Sequence, residues 1–214
     1  MSESPAREGS MLLIDKPIEW TSFDVVNKLR RVLQIRKIGH AGTLDPLATG
    51  LLIICTGSQT KSINDYMGLE KEYTGTMKIG QTTPSHDLET EPSEPVSLEG
   101  LTAVQLQSLT AGFTGTISQI PPLHSAIKVD GKRAYRFARK GVEKKLEPRQ
   151  VEVSVFELTR IELPEVDFRI VCSKGTYIRS LVRDFGEACG KGAYLKALRR
   201  TRIGQYRVED ARTL

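Results

Sequence analysis

The chain has 214 residues, of which 39% are hydrophobic and 27% charged, and its formal net charge is +5. This mixture is typical of a globular protein and excludes a wholly disordered chain. The longest apolar runs are far shorter than the roughly 20 residues of a membrane helix, and "MSESPAREGS" lacks the apolar centre of a signal peptide. Three widely spaced cysteines without a CxxC pair favour neither a disulfide framework nor a zinc site. We therefore expect a reduced, cytoplasmic protein with no membrane partner.

The first half of the chain contains both helix and strand patterns. "SMLLIDKP" predicts a short strand, and "SFDVVNKLRRVLQ" predicts a helix with Thr21 or Ser22 as its N-cap. A glycine-rich stretch at residues 39–50 precedes the strand "GLLIICTG" and the short helix "SQTKSINDYM". "KEYTGTMKIG" then predicts a strand with alternate residues on one face: Tyr73, Gly75, Met77 and Ile79.

The second half opens with residues 81–99, a polar loop containing prolines whose length indicates mobility or a functional role. "TAVQLQSLTAGF" predicts a helix with Thr102 and Gln105 in a capping box. Short strands at "GTISQIPP" and "HSAIKV" lead to a "DG" turn, and "KRAYRFARKG" predicts a basic helix. "VEVSVFELTRIEL" and "VDFRIVCS" predict neighbouring strands, and "TYIRSLVRDFGEACG" predicts a helix with an apolar stripe. Because regular β-α-β alternation is lacking, we expect an α+β fold with a largely antiparallel sheet.

Charge is strongly segregated along the chain. Residues 128–149 hold nine basic and three acidic residues, and "KALRRTRIGQYR" at residues 196–207 holds five cations and no acid. By contrast, residues 81–127 contain five acids and neither lysine nor arginine. Either basic cluster alone is compatible with a solvated face, but the two together favour a nucleic-acid partner that binds through its phosphates.

The stretch "GHAGTLDPLATG" contains a single acid, Asp45, between glycines, threonines and a proline. An aspartate beside proline often makes only a turn hydrogen bond. A phosphate-binding loop would need GxxxxGK, a dinucleotide loop would open a helix, and a paired-carboxylate hydrolase would need a second acid. The remaining chemical option is a lone aspartate that acts as nucleophile or base, and composition does not choose it.

Six motifs in register resemble the TruB-type tRNA pseudouridine-55 synthases: "LLIDKPIEWTSFDVV", "GHAGTLDPLATGLL", "KEYTGTMKIGQTT", "PPLHSAIKVDGKRAYRFARKG", "CSKGTYIRSLVRDFGEACG" and "YLKALRRTRIG". The resemblance implies an α+β pseudouridine synthase fold, with a central, largely antiparallel mixed sheet flanked by helices and crossed by a catalytic cleft. It implies a loose tail at residues 1–9, a catalytic domain at residues 10–214 and an RNA-gripping insertion at about residues 124–150. The C-terminal RNA-binding (PUA-like) module of many bacterial members is expected to be absent.

The activity that this resemblance implies is conversion of uridine 55 in the T-loop of tRNA to pseudouridine. The base leaves its N-glycosidic bond, turns and rejoins the ribose through C5, and no cofactor or metal is needed. Asp45 is similar to the catalytic aspartate of the family. Its carboxylate has three open roles: attack on the ribose C1′, attack on the base C6, or abstraction of the C2′ proton. The expected partner is the T-arm of tRNA, bound by a monomer.

The resemblance also assigns residues around this aspartate. Arg179 matches the arginine that pairs with it, although a surface arginine on an amphipathic helix is the alternative. Tyr73 matches the active-site tyrosine of the family, whose ring can stack on the uracil and whose hydroxyl can serve proton transfer at C5. Leu198 matches an apolar pocket residue, and core packing is the alternative for both residues. His40 matches the histidine that fills the space left by the flipped base.

Four cations match RNA contacts of the family, although a solvated cation is the alternative for two of them, Lys16 and Lys61. The four are Lys16, Lys61, Lys128 and Arg139. Cations of this kind contact phosphates without reading bases. A rival hypothesis is an RNA-binding or RNA-folding protein without chemistry, and a metal-free nucleotide hydrolase is a distant third. Asp45 and Arg179 distinguish the enzyme from an RNA-binding protein without chemistry, because a buried carboxylate near phosphates would weaken RNA binding.

Overall fold

The structure is a computed structural model that describes residues 8–125, 128–129, 132–133 and 146–214. It divides into two compact units. The first unit consists of Met1–Thr74 and Ala197–Leu214, and the second of Gly75–Lys196. Two strands contribute residues to both units, and each unit is described by itself below.

The described residues form eleven strands and four α-helices. The strands are β1 (Met11–Lys16), β2 (Ile38–Ala41), β3 (Ala48–Thr56), β4 (Lys71–Ile79), β5 (Gly115–Gln119), β6 (Lys128–Val129), β7 (Lys132–Arg133), β8 (Arg149–Glu162), β9 (Glu165–Cys172), β10 (Ala193–Ile203) and β11 (Tyr206–Arg207). The helices are α1 (Ser22–Leu33), α2 (Ile63–Gly68), α3 (Ala103–Leu109) and α4 (Ile178–Ala188). Short 3₁₀ turns occupy Gly57–Ser62, Thr110–Phe113 and Val208–Asp210.

The first unit has the strand order β1-β3-β10-β4, with β2 also paired to β3 and β11 to β10. β1 and β2 run antiparallel to β3, whereas β10 runs parallel to it. β3 is buried almost throughout because apolar side chains pack on both of its faces. One face packs on α1 through Val25 and Val26, and the other packs on the end of β10 through Ile203.

The second unit has the strand order β10-β4-β9-β8-β5. β8 pairs antiparallel with both β9 and β5. Four phenylalanines pack edge-on or tilted at centroid separations of 5.5–6.4 Å and form an aromatic core: Phe113, Phe156, Phe168 and Phe185. This arrangement confirms the predicted α+β fold with a mixed, mainly antiparallel sheet.

Local patterns located most elements correctly. Thr21 caps α1 in a reciprocal box with Asp24, and Thr102 caps α3 in the same way with Gln105. The predicted apolar stripe of α4 is buried, and alternate residues of β4 are buried on one face, as expected. No helix among the described residues is long and apolar enough to span a membrane.

One prediction about local structure is wrong, and two features of the fold were not predicted. The basic segment at residues 196–207 was not predicted as a strand, yet most of it lies in β10. Lys132 and Arg133 begin the predicted basic helix but form β7, and the remainder of that prediction lies outside the described residues. The acidic loop at residues 81–99 has a buried inner face made by polar side chains: Thr83, Ser85 and Asp87.

Candidate active site

The loop from β2 to β3 carries Asp45 and belongs to the first unit. Asp45 is half-buried, and its backbone carbonyl accepts a hydrogen bond from the Ala48 amide at 3.1 Å. Ala48 is the first residue of β3, so this bond ties the loop to the start of a buried strand. Three side chains from elsewhere in the unit hold the rest of the loop.

Ser22, the first residue of α1, holds the residue directly before Asp45. Its hydroxyl accepts a hydrogen bond from the Leu44 amide at 2.9 Å and donates one to the Leu44 carbonyl at 3.3 Å. Both residues are buried, so neither backbone group of Leu44 has water as an alternative partner. The sequence offered Ser22 only as a possible N-cap, and Thr21 takes that role.

Lys16, the last residue of β1, holds the residue directly after Asp45. It is fully buried, and its ammonium donates to the carbonyls of Pro17 at 2.9 Å, Trp20 at 2.5 Å and Pro46 at 3.2 Å. Burial lowers the pKa of Lys16 to about 8, while the negative charge of Asp45 opposes the shift. The predicted RNA contact of Lys16 stays a prediction, and its contacts here are with backbone carbonyls.

Arg200 on β10 holds the beginning of the loop. It is 1% exposed, and its guanidinium donates to the Leu51 carbonyl at 2.8 Å and the Gly42 carbonyl at 3.2 Å, with a longer contact of 3.5 Å to Thr43. The backbone of Arg200 lies very close to Gly50 on the neighbouring strand β3. Only glycine fits there, because a Cβ atom at residue 50 would lie 2.3 Å from the Arg200 carbonyl oxygen. The sequence showed Arg200 only as one of five clustered cations.

Every backbone carbonyl at residues 42–46 therefore accepts a hydrogen bond. The donors are Arg200, Ser22, Ala48, Lys16 and the amide of Glu19, which reaches the Pro46 carbonyl at 2.8 Å. A stretch of five consecutive bonded carbonyls has little freedom to rearrange, so the backbone that carries the carboxylate is fixed in advance.

Three more predicted site residues lie in the first unit. His40 is on β2, and burial lowers its pKa while a hydrogen bond with the Gly42 backbone opposes the shift, so its imidazole is neutral at neutral pH. Leu198 pairs with Ala48 in the parallel register of β10 and β3, which brings it beside the end of the Asp45 loop. Tyr73 is buried on β4. Burial of Tyr73 is compatible with both a stacking role and core packing.

Arg179 belongs to the second unit, where it is the second residue of α4. It is 3% exposed, which excludes the alternative of a surface arginine. Its Nη1 donates to the Ser85 carbonyl at 3.2 Å, its Nη2 donates to the His124 carbonyl at 2.9 Å, and its Nε lies 3.5 Å from Asp87 Oδ2. The predicted pairing of Arg179 with Asp45 stays a prediction.

Asp87 is a buried neighbour of Arg179 that the sequence did not reveal. It is buried beside Arg179, and its Oδ1 accepts a hydrogen bond from the Glu89 amide at 3.0 Å. Its carbonyl accepts from the hydroxyls of Thr83 at 2.7 Å and Ser85 at 3.1 Å. The loop is therefore built around a buried carboxylate, and among five acids in residues 81–127 nothing in the sequence distinguished this one.

The start of α4 is held by a buried amide. Gln119 donates to the Tyr177 carbonyl at 3.1 Å and accepts from the Tyr177 amide at 2.8 Å. Ser180 adds a bond to the Ile120 carbonyl at 2.8 Å. Because Tyr177 is the N-cap of α4, these bonds fix the turn that carries Arg179.

Three other residues were predicted to contact RNA, and the structure describes two of them. Lys61 is exposed on the 3₁₀ turn Gly57–Ser62. Lys128 lies on β6, which pairs antiparallel with β7. Arg139 lies outside the described residues.

The C-terminal basic cluster is largely neutralised within the chain, which corrects its interpretation as a polyanion-binding face. Arg199 donates to Asp15 at 2.7 and 3.0 Å, and Arg202 donates to Glu70 at 2.8 Å. Lys196 pairs with Glu165, and Arg200 is buried against carbonyls. Of the five cations in this segment, only Arg207 is exposed without an ion pair among the described residues. The acids that pair with these cations lie far away in the sequence, so residues 196–207 by themselves gave no sign of their partners.

Two family models together match most of the chain. One, described as "TruB family pseudouridylate synthase (N terminal domain)", matches residues 30–178. The other, described as "tRNA pseudouridylate synthase B C-terminal domain", matches residues 179–214.

Curated relatives and solved structures agree with these matches. A protein named tRNA pseudouridine synthase B from Flavobacterium johnsoniae is 54% identical, over 95% of this chain and 92% of that protein. A protein of the same name from Opitutus terrae is 49% identical, over 95% of this chain and 85% of that protein. The crystal structure of a Cbf5-Nop10-Gar1 complex contains a chain that is 29% identical with a TM-score of 0.74. The match covers 98% of this chain and 53% of that one, so this chain spans about half the length of the solved relative.

Proposed function

The chain belongs to the TruB family of pseudouridylate synthases, and on that premise we propose that it isomerises uridine 55 in the T-loop of tRNA to pseudouridine. The observation that carries this proposal is the Asp45 loop, with every carbonyl at residues 42–46 hydrogen-bonded. A backbone held in this way fixes the point from which the Asp45 side chain extends and so limits the movement of its carboxylate, as an attack or a proton abstraction at a bound nucleotide requires.

Asp45 is the catalytic group of this proposal. Its carboxylate has three open roles: attack at C1′, attack at C6 and proton abstraction at C2′. Each of them requires the ionised form. The buried ammonium of Lys16 supports the ionised form, because the two charges attract one another. For Arg179 the family resemblance supplies the role of orienting the carboxylate, and burial beside Asp87 supports a positioning role.

The other three predicted site residues of the first unit contact the base in this proposal. A uridine inside a folded loop must leave its stack before it can react. In this proposal His40 occupies the space that the flipped base leaves. Its lowered pKa supports a neutral ring that stacks or hydrogen-bonds rather than transferring protons. In this proposal the Tyr73 ring stacks on the uracil and its hydroxyl serves proton transfer at C5. The apolar Leu198, beside the loop, packs against the base.

Release of tritium from uridine labelled at C5 tests the proposal, because rejoining through C5 expels the hydrogen at that atom. The substrate is a T-arm stem-loop, and the proteins are the intact chain, Asp45→Asn and the control Asp65→Asn. Asp65 is an exposed acid of α2 in the same unit, so its substitution changes the charge equally without touching the loop. We expect full release with the intact chain and the control, and none with Asp45→Asn.

Two other outcomes would contradict the proposal. Normal release by Asp45→Asn would show that the carboxylate is not the catalytic group. Tight, salt-sensitive binding of the stem-loop by the intact chain without release would instead favour an RNA-binding protein without chemistry.

A further inference from the structure

A basic surface outside the two basic clusters described above lies at the end of α1. Residues 28–37 contain five cations and no acid. Four of these cations are exposed, and we call them the helix-exit patch: Lys28, Arg31, Arg36 and Lys37. None of the four forms an ion pair with any residue in the described ranges. This distinguishes the patch from the C-terminal cluster, whose cations are mostly paired with acids.

The backbone of the patch is fixed although its side chains point to solvent. Gln34 ends α1 in a left-handed conformation, and its successor Ile35 is buried and donates from its amide to the Arg30 carbonyl at 3.2 Å. The Lys37 carbonyl accepts a hydrogen bond from the Gly57 amide at 2.9 Å. Arg36 and Lys37 therefore start from a rigid backbone, which lowers the entropy lost when their side chains bind a ligand.

A structural role explains only part of the patch. Basic residues in the last turn of a helix are favoured by its dipole, and this accounts for Arg31 on α1. Arg36 and Lys37 lie beyond the end of the helix, where this effect has faded. Exposed like charges that lie close together repel one another, so a polyanion that binds them gains from relieving that repulsion.

The proposed function places a polyanion close by. Lys37 directly precedes β2, and His40 is the third residue of that strand. At about 3.3 Å per residue, the backbones of Lys37 and His40 are about 10 Å apart. Resting on the proposed function, we infer that the helix-exit patch binds phosphates of the substrate RNA that flank the flipped nucleotide. In the sequence the patch lies far from the predicted RNA-gripping insertion at residues 124–150.

The test is the salt dependence of binding of a tRNA transcript to the double variant Arg36→Gln/Lys37→Gln. Each lost phosphate contact lowers the slope of log Kd against log salt by about 0.7–0.9, so we expect a decrease of about 1.4–1.8. The control is Lys174→Gln/Arg207→Gln, which removes the same charge from two exposed positions elsewhere, and its slope should stay close to that of the intact chain. Both exchanged pairs are exposed, so thermal unfolding should be unchanged.

The rate of tritium release distinguishes a failure of this inference from a failure of the proposed function. At saturating RNA the double variant should release tritium at the rate of the intact chain, because the patch contributes affinity and no chemistry. An unchanged slope, or an equal decrease in the control, would overturn the inference. If the intact chain released no tritium while the double variant still lost the expected slope, the patch would stand and the proposed function would fail.

Discussion

The hydroxyl of Ser22 gives the sharpest test of how the Asp45 loop is held. Ser22→Ala removes both hydrogen bonds to Leu44 and leaves a buried amide and a buried carbonyl without a partner. Each such group costs about 1–3 kcal/mol, and the bond at 3.3 Å is the weaker of the two. We therefore expect the free energy of unfolding to fall by about 2–4 kcal/mol. The cap of α1 stays intact, because Thr21 supplies it.

The same substitution should slow catalysis more than it weakens binding. Leu44 precedes Asp45 directly, so releasing its backbone allows the carboxylate to move, and a displacement of about 1 Å costs about 100-fold in rate. We expect kcat to fall by about 10- to 100-fold with little change in KM. Urea unfolding measures the first effect, and single-turnover tritium release at a temperature where both proteins are folded measures the second.

Ser62→Ala is the matched control for Ser22→Ala. Ser62 lies in the same unit at the start of α2, and its side chain makes no capping hydrogen bond. The control should change stability by less than about 0.5 kcal/mol and leave kcat unaltered. If Ser22→Ala behaved like the control in both assays, the Ser22 hydroxyl would not be what holds the loop.

Three further substitutions test other parts of the structure. Gly50→Ala should destabilise by at least about 2 kcal/mol in urea unfolding, because φ is +103° and the new Cβ would meet the Arg200 carbonyl; unchanged stability would contradict this. Arg200→Lys should cost about 2–3 kcal/mol, because an ammonium cannot reach the carbonyls that the guanidinium spans, and a neutral result would refute that role. Burial beside Arg183 and Arg179 lowers the pKa of His86 from 6.5 to about 4, so the unfolded chain takes up a proton at higher pH than the folded one. His86 should therefore contribute about 2 kcal/mol to the loss of stability from pH 7 to pH 5, and His86→Gln should remove that contribution; an equal fall in the variant would exclude His86.

The short-range chemistry of the sequence determined most of the elements. A candidate hydroxyl N-cap located the start of α1, and a capping box located the start of α3, because capping depends only on a few neighbouring side chains and the intervening backbone. The spacing of apolar residues located α4 and the buried face of β4, because periodicity fixes which side chains share a face. The Asp45 motif was also visible, since its resemblance to a known family is local in sequence.

Tertiary structure decided which charges are free and which groups hold the loop. β10 was missed because its cations obscured the alternation expected of a strand, and their partners Asp15 and Glu70 are more than 130 residues away in the chain. Ser22, Lys16 and Arg200 converge on residues 42–46 from three separate segments. A backbone carbonyl accepts from any donor that the fold brings near, so local sequence carries no signal of which one will bind it.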